Sequence, residues 1–236
     1  MVIKHNELKI VFENELLMIV DKPVGMLSHP DAHLKEIDIL SYLKTSRPES
    51  RNYAVINRLD FNTSGLVIVG KTMDAIKVLN KASLEKQIQK TYLCAVSGYF
   101  FVPEATLEAY LLKDSTQSRV RISNVEVPNS QKILTHYKVL KEAMNMSLVE
   151  VELLTGKTHQ IRAHLAMAEH PIIGDPLYGQ ATINKKIGLK TQALIAYKLT
   201  FSNLEPSSIL YPLNNRSFQI NQIPFMTLFN DKKPKK

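Results

Sequence analysis

The sequence has very little cysteine and no tryptophan, and what it lacks excludes several classes of protein. It holds one cysteine, Cys94, among 236 residues, so an intrachain disulfide and a cysteine-based zinc site are excluded. No apolar run approaches the roughly 20 residues that a membrane-spanning helix needs. The first seven residues contain no apolar stretch of the kind found in secretory signals. We therefore expect a cytoplasmic protein that does not cross a membrane.

Several catalytic and cofactor-binding motifs are also missing. The sequence has no Gly-x-Ser-x-Gly nucleophile turn and no Gly-x-Gly-x-x-Gly dinucleotide loop. Cys94 stands in an apolar stretch whose nearest basic residue is Lys90, which does not favour a reactive thiolate. His159 and His164 are five residues apart, whereas helical metal ligands are usually three or four apart. This spacing does not favour a metal site.

Positive charge is present in excess. Lysine and arginine outnumber aspartate and glutamate by 30 to 22, which gives a formal net charge of +8. A basic balance favours a polyanionic partner or an anionic surface. Part of the excess comes from four lysines among the last five residues, so we expect residues 226–236 to form a basic, mobile tail.

Apolar patterning predicts an α+β fold. Continuous apolar runs at 16–20 and 66–69 predict strands that are buried on both faces, and further strands are expected at 91–96 and 193–201. Alternating apolar residues predict a hairpin with arms at 133–140 and 147–154, joined by a turn at 141–146. Helical spacing predicts helices over 73–89 and 159–168. Because hairpins outnumber strand–helix–strand units, we expect one domain over 1–225, with a large, mainly antiparallel mixed sheet flanked by helices and loops.

The segment Arg58-Leu59-Asp60 is the first candidate for chemistry. If it is extended, Arg58 and Asp60 lie on one side and Leu59 on the other. The opposite charge of Arg58 favours an ionised Asp60, which could act as a nucleophile or a general base. A structural ion pair that caps a turn is the alternative, and from these residues alone it is the commoner one.

Three further segments could bind or act on an anionic substrate. A glycine turn leads into the predicted helix with Lys157 and Arg162 near its start, which favours an anion site. Tyr92 on a predicted strand is either a core residue or a functional one. Arg119 and Arg121 lie in a basic segment with a weak apolar pattern. They could bind phosphate groups, or they could simply lie on a solvent-exposed face.

Taken together, these segments resemble the motifs of pseudouridine synthases of the RluA type. The resemblance rests on five stretches in the family's order: residues 13–30, 58–66, 90–98, 155–179 and 193–197. Two positions depart from the family, which commonly has histidine at Asn57 and arginine at Lys157; we expect these changes to tune RNA contacts. Many relatives carry an additional N-terminal RNA-binding module of the S4 type, for which we expect no room here.

The resemblance implies an isomerase that converts uridine to pseudouridine in a stem-loop of ribosomal or transfer RNA, without a cofactor. It implies that Asp60 is the essential carboxylate, that Arg162 pairs with it, and that Tyr92 stacks on the uracil. Leu194 would form an apolar wall of the base pocket. Residues with an implied role in RNA binding or base flipping are Arg58, Arg119, Arg121 and Lys157. We expect a monomer with no obligate protein partner.

Two other functions fit parts of the sequence. An RNA-binding protein that has lost catalysis would be expected to have lost Asp60, Tyr92 or Arg162, and all three are present. A nucleoside hydrolase or glycosylase could use the same carboxylate, and release of free uracil would distinguish it from an isomerase. The segment at 155–179 favours the isomerase.

Overall fold

The computed structural model describes residues 8–31, 36–48, 52–114 and 119–230. Within these ranges the chain forms eleven β-strands, four α-helices and two short 3-10 helices. The strands are β1 Lys9–Glu13, β2 Leu17–Lys22, β3 Ala54–Val55, β4 Ser64–Gly70, β5 Ile88–Ser97, β6 Glu104–Asp114, β7 Arg119–Ser123, β8 Gln131–Ala143, β9 Met146–Leu153, β10 Leu194–Phe201 and β11 Ser217–Gln219. The α-helices are α1 Ile39–Ser46, α2 Met73–Leu84, α3 Gln160–Met167 and α4 Ala181–Ile187, and the 3-10 helices are Tyr211–Leu213 and Pro224–Phe229.

The chain divides into two compact units. Unit 1 consists of Met1–Lys90 and Ala196–Asn221, and unit 2 of Thr91–Ile195 and Gln222–Lys236, each within its described residues. In each unit, the strand pairs whose register is defined are antiparallel. The α+β class with a large, mainly antiparallel sheet, predicted from the apolar pattern, is confirmed.

The sheet of unit 1 is centred on two buried strands. β2 pairs with β1 on one side and with β4 on the other, and β4 also pairs with β3. Both predicted apolar runs are confirmed as strands, and β2 continues beyond its run to Lys22. α2 packs over this sheet, and together they bury a core that includes Leu17, Ile68 and Leu79.

A glycine allows β4 and β10 to approach closely. Gly65 has φ +121°, and a Cβ atom there would lie 2.3 Å from the carbonyl oxygen of Ala196. Any other residue would therefore push the two backbones apart and strain its own. Gly65 directly follows the turn that contains Asp60, so this close approach determines where that turn enters the sheet.

The sheet of unit 2 runs in the order β5, β9, β8, β6, β7. The predicted hairpin is confirmed as β8 and β9, but its turn is shorter than the predicted 141–146. Met144 and Asn145 both have positive φ, 50° and 58°, and Ala143 already pairs with Met146. Two successive residues in this conformation match the twist of the flanking strands, so two residues suffice for the turn.

The predicted helix over 73–89 ends earlier than expected. α2 stops at Leu84, Lys86 takes a positive φ of 59°, and Ile88 begins β5. The apolar residue at 88 fits the helical spacing, but it is buried as the first residue of a strand. Met73, the first residue of this predicted helix, is 55% exposed. A residue in the left-handed backbone conformation ends a helix, whatever the spacing of the apolar residues that follow it.

Part of the predicted mobile tail is structured within unit 2. Residues 226–229 belong to the 3-10 helix Pro224–Phe229, whose Phe229 is 1% exposed. Burying a phenylalanine side chain stabilises a fold by about 2 kcal/mol, which holds this end in place. Residues 231–236, which contain the four lysines, lie outside the described residues. Among the helices in the described ranges, none has the length and apolar character needed to cross a membrane.

Candidate functional site

Asp60 lies in a turn of unit 1 between β3 and β4. Arg58 is exposed, Leu59 is buried and Asp60 is partly exposed, which agrees with the predicted alternation of sides. The carbonyl oxygen of Asp60 accepts a hydrogen bond from the Thr63 amide at 3.0 Å. This bond closes a tight turn that leads directly into β4.

Two buried polar side chains hold the backbone before Asp60. The Ser28 hydroxyl donates to the carbonyl of Leu59 and accepts from its amide, both at 2.9 Å. The Asn57 side chain donates to the carbonyl of Leu66 at 3.1 Å and accepts from the amide of Ile68 at 2.8 Å. Asn57 thus bonds to β4 as a neighbouring strand would, so its departure from the family pattern has a structural role here.

Lys22 also supports this turn by bonds to the backbone. Sequence patterns assigned it no role. Its side chain is completely buried at the end of β2, and its Nζ donates to the carbonyls of Met26 at 2.8 Å and Pro23 at 3.1 Å. It also lies 3.4 Å from the carbonyl oxygen of Phe61, which accepts from the Gly25 amide at 3.0 Å. The available signal was a lysine that follows a buried apolar run after one intervening residue, Asp21.

The buried ammonium group of Lys22 also acts electrostatically on Asp60. Burial lowers the pKa of Lys22 to about 8, while the negative charges of Asp60 and Asp21 oppose that shift. Near the same turn, burial and the positive charge of Arg58 lower the pKa of His29. Asp60 therefore lies in a local environment that contains a buried positive charge.

Arg162 is buried in unit 2, where its guanidinium group binds a carboxylate. Its Nε donates to Asp175 Oδ2 at 2.7 Å and its Nη2 donates to Asp175 Oδ1 at 3.0 Å. Oδ1 also accepts from the amides of Leu177 and Tyr178. Burial by itself raises the pKa of Asp175, but the hydrogen bonds and the charge of Arg162 hold it below its ordinary value. Asp175 lies within the 155–179 segment, whose sequence pattern predicts no role for it.

The predicted glycine turn before α3 is held by Gln160. Its side-chain oxygen accepts from the Lys157 amide at 3.1 Å and from the Thr155 hydroxyl at 3.0 Å. Lys157 is exposed. His164 is buried and shares a 2.9 Å hydrogen bond with Thr135, and burial lowers its pKa to about 4.

Tyr92 and Leu194 are buried in unit 2, with 6% and 5% of their surface exposed. Tyr92 stands on β5 opposite Val151 of β9, and Leu194 begins β10. Arg119 and Arg121 are exposed on β7, the end strand of this sheet, with buried Val120 between them.

The structure thus assigns the candidate residues to the two units. Asp60 and Arg58 belong to unit 1. Within unit 2, Arg121 forms a 3.3 Å ion pair with Asp114. The candidates in unit 2 are Tyr92, Arg119, Arg121, Lys157, Arg162 and Leu194. The pairing of Arg162 with Asp60, which the resemblance implies, stays a prediction. In the part of the chain that is described, no group of three or more His, Cys, Asp or Glu residues is placed to hold a metal ion.

Residues 16–167 match the RNA pseudouridylate synthase family. The chain is similar to ribosomal large subunit pseudouridine synthase C of Haemophilus influenzae, with 31% identity over 218 residues that cover 91% of this chain and 65% of that protein. It is similar to ribosomal large subunit pseudouridine synthase D of Neisseria meningitidis serogroup B, with 33% identity over 211 residues that cover 84% of this chain and 55% of that protein. The chain therefore spans less than two thirds of the length of either relative.

The fold is similar to that of a solved structure, Human RNA Pseudouridylate Synthase Domain Containing 1. The TM-score is 0.74 with 22% sequence identity, and the match covers 95% of this chain and 86% of that one. At this identity the likeness concerns the fold, and it confirms the fold expected from the motifs.

Proposed function

Because more than half of its residues match the family, this chain belongs to the RNA pseudouridylate synthases, and we propose that it isomerises uridine to pseudouridine in folded RNA. Two relatives are named for the large ribosomal subunit, which favours a stem-loop of ribosomal RNA as substrate over one of transfer RNA. In this reaction the bond between N1 and the ribose C1′ breaks, the uracil turns, C5 bonds to C1′ and loses its proton, and N1 gains a proton. Two bonds break and two form without net oxidation or hydrolysis, so the reaction consumes no oxidant, reductant or water.

Asp60 is the proposed catalytic carboxylate. The observation that carries this assignment is the support of its turn, which buried Lys22, Ser28 and Asn57 hold by side-chain hydrogen bonds to the backbone. A carboxylate on such a turn is held in place before the substrate binds, which lowers the cost of reaching the reactive geometry. An ion pair that merely caps a turn would not need this support.

Arg162, Tyr92 and Leu194 complete the proposed catalytic set. In this proposal Arg162 pairs with Asp60 and orients it, Tyr92 stacks on the uracil, and Leu194 forms an apolar wall. The buried, bidentate bond between Arg162 and Asp175 supports an orienting role, because it restricts the guanidinium to one plane. All three residues are buried, as residues that line a pocket for a base would be.

Arg58, Lys157, Arg119 and Arg121 are the proposed RNA contacts. All four are exposed, and none is part of a buried core. A uridine in a stem must be flipped out of its stack before chemistry can occur, at a cost of a few kcal/mol. Arg58 is suited to fill the vacated space, because a planar guanidinium can both stack and donate hydrogen bonds.

The variant Asp60→Asn tests the proposal. It preserves the size of the side chain, so we expect an unchanged fold and RNA affinity but no tritium release from RNA labelled at uridine C5. Asp74→Asn, the same change at an exposed position at the start of α2, is the matched control and should be fully active. Full activity of the Asp60 variant would contradict the assignment. Release of free uracil by the wild type would instead indicate a glycosylase.

A further inference from the structure

Tyr178 contacts three segments of unit 2 that carry candidate functional residues. It follows Asp175 in the loop between α3 and α4, and its ring packs against a small core under β6 and β7. The sequence motif 155–179 contains this tyrosine without assigning it a role. Its hydroxyl group can be removed without its ring, although the ring also stands edge-on to His159, with 5.7 Å between the ring centroids.

The hydroxyl group joins β7 to the start of α3. It accepts a hydrogen bond from the amide of Val120 at 2.9 Å and shares one with His159 Nδ1 at 3.1 Å. Val120 lies between Arg119 and Arg121 on β7. His159 precedes α3 with φ +55°, a conformation that costs energy unless surrounding contacts hold it. The hydroxyl therefore connects the strand that carries the two arginines to the turn that carries Lys157.

The ring and the backbone of Tyr178 contact both members of the buried ion pair. The guanidinium carbon of Arg162 lies 5.3 Å from the ring centroid, within range of a cation–π interaction. The Tyr178 amide donates to Asp175 Oδ1 at 3.0 Å, the oxygen that also accepts from Arg162 Nη2. The orientation of the guanidinium thus depends on the aromatic ring as well as on the carboxylate.

We propose that Tyr178 is a positioning residue for pseudouridine formation, in which its ring orients Arg162 and its hydroxyl group fixes β7 relative to His159. This inference rests on the proposed function and adds a residue to it. It implies that the ring governs turnover, because Arg162 belongs to the proposed catalytic set. It also implies that the hydroxyl governs RNA binding, because β7 carries Arg119 and Arg121.

Two variants separate these roles. Tyr178→Phe keeps the ring and removes both hydroxyl contacts, so we expect KM for RNA to rise about 3-fold to 10-fold while kcat stays within about 2-fold, the size expected for one or two hydrogen bonds. Tyr178→Leu removes the ring as well, so kcat should fall by about 10-fold or more, as expected for a desolvated cation–π contact.

Tyr137→Phe is the matched control in the same unit. Its hydroxyl group donates to the carbonyl of Val102 at 2.9 Å, so the variant, like Tyr178→Phe, loses a hydrogen bond between a tyrosine hydroxyl and the backbone. We expect it to change thermal stability about as much as Tyr178→Phe does, with kcat and KM unchanged. If Tyr137→Phe and Tyr178→Phe raise KM equally, Tyr178 has only a structural role.

A binding and spectroscopic readout keeps this test independent of turnover. In Tyr178→Phe the imidazole nitrogen signals of His159 should shift in NMR spectra, and the salt dependence of binding to a uridine-containing stem-loop should become less steep. Unchanged signals together with unchanged kcat and KM would overturn the inference. Absence of tritium release by the wild type would overturn the proposed function instead, and the His159 signals would still decide whether the hydroxyl contact is present.

Discussion

Buried polar side chains determine the local geometry at the candidate catalytic residues. Lys22, Ser28 and Asn57 bond to backbone groups around Asp60, and Asp175 bonds to Arg162. Burying such groups is unfavourable unless hydrogen bonds compensate, so each is tied to one arrangement of its neighbours. At the residue scale, these bonds turn a flexible loop into a fixed position for a carboxylate.

Lys22→Met should both destabilise the protein and reduce activity, because it removes the ammonium group and leaves buried carbonyls without a donor. The pKa of Lys22 is lowered from its ordinary value of 10.5 to about 8. Between pH 8 and 10.5 the Lys22 side chain is therefore protonated more in the unfolded chain than in the folded one. The contribution of Lys22 to the free energy of unfolding consequently rises over this pH range, by about 3 kcal/mol in all.

Urea unfolding of wild type and Lys22→Met at several pH values between 7.5 and 10.5 measures this contribution. The difference in unfolding free energy between the two proteins should change with pH, growing in favour of the wild type as the solution becomes more alkaline. Lys77→Met, at an exposed position of α2, is the control and should show no such change. A difference that is independent of pH would mean that the pKa of Lys22 is not lowered.

At the element scale, sequence patterns placed four strands, β2, β4, β9 and β10, and one helix, α3, within two residues of their observed ends. β2, β4, β9 and α3 follow from apolar runs or alternation, because a buried face requires the same period as the backbone. The end of α2 could not be predicted, because Ile88 fits helical spacing while the positive φ of Lys86 ends the helix. The short turn of the β8–β9 hairpin depends in the same way on two left-handed residues.

The β6–β7 hairpin is the element proposed to contact RNA phosphates. Replacing both Arg119 and Arg121 by alanine should weaken RNA binding and reduce the slope of log affinity against log salt by about 1.5, which corresponds to two lost phosphate contacts. Turnover of saturating RNA should be unchanged. The double variant Lys77→Ala with Lys81→Ala removes the same charge from exposed positions of α2 and is the control. A slope equal to that of the wild type would exclude the hairpin as a phosphate contact.

At the scale of the whole molecule, each unit contributes candidate residues of one proposed reaction. Asp60 and Arg58 belong to unit 1, and Tyr92, Arg162 and Leu194 belong to unit 2. The family match spans residues 16–167, so it includes four of these five residues. Leu194 lies beyond the match, and its assignment rests on the resemblance of 193–197 and on its burial.

A pseudouridine map of cellular RNA gives the test at this scale. Loss of the protein should remove pseudouridine from one or a few uridines, in ribosomal RNA if the names of the relatives indicate the substrate. Wild-type protein should restore the modification and Asp60→Asn should not, because binding alone does not move the uracil. An identical map with and without the protein would contradict the proposed function, and changes confined to transfer RNA would redirect the choice of substrate.

The sequence by itself determined the family, the fold class and the candidates Asp60, Tyr92 and Arg162, because ordered motifs and apolar periods are local properties of the chain. The tertiary structure decided what supports them. Lys22 lies 39 residues from Phe61, and Arg162 lies 13 residues from Asp175, so no local pattern relates these partners. Long-range folding brings each pair together, and burial turns an ordinary lysine or aspartate into a residue that fixes its neighbour.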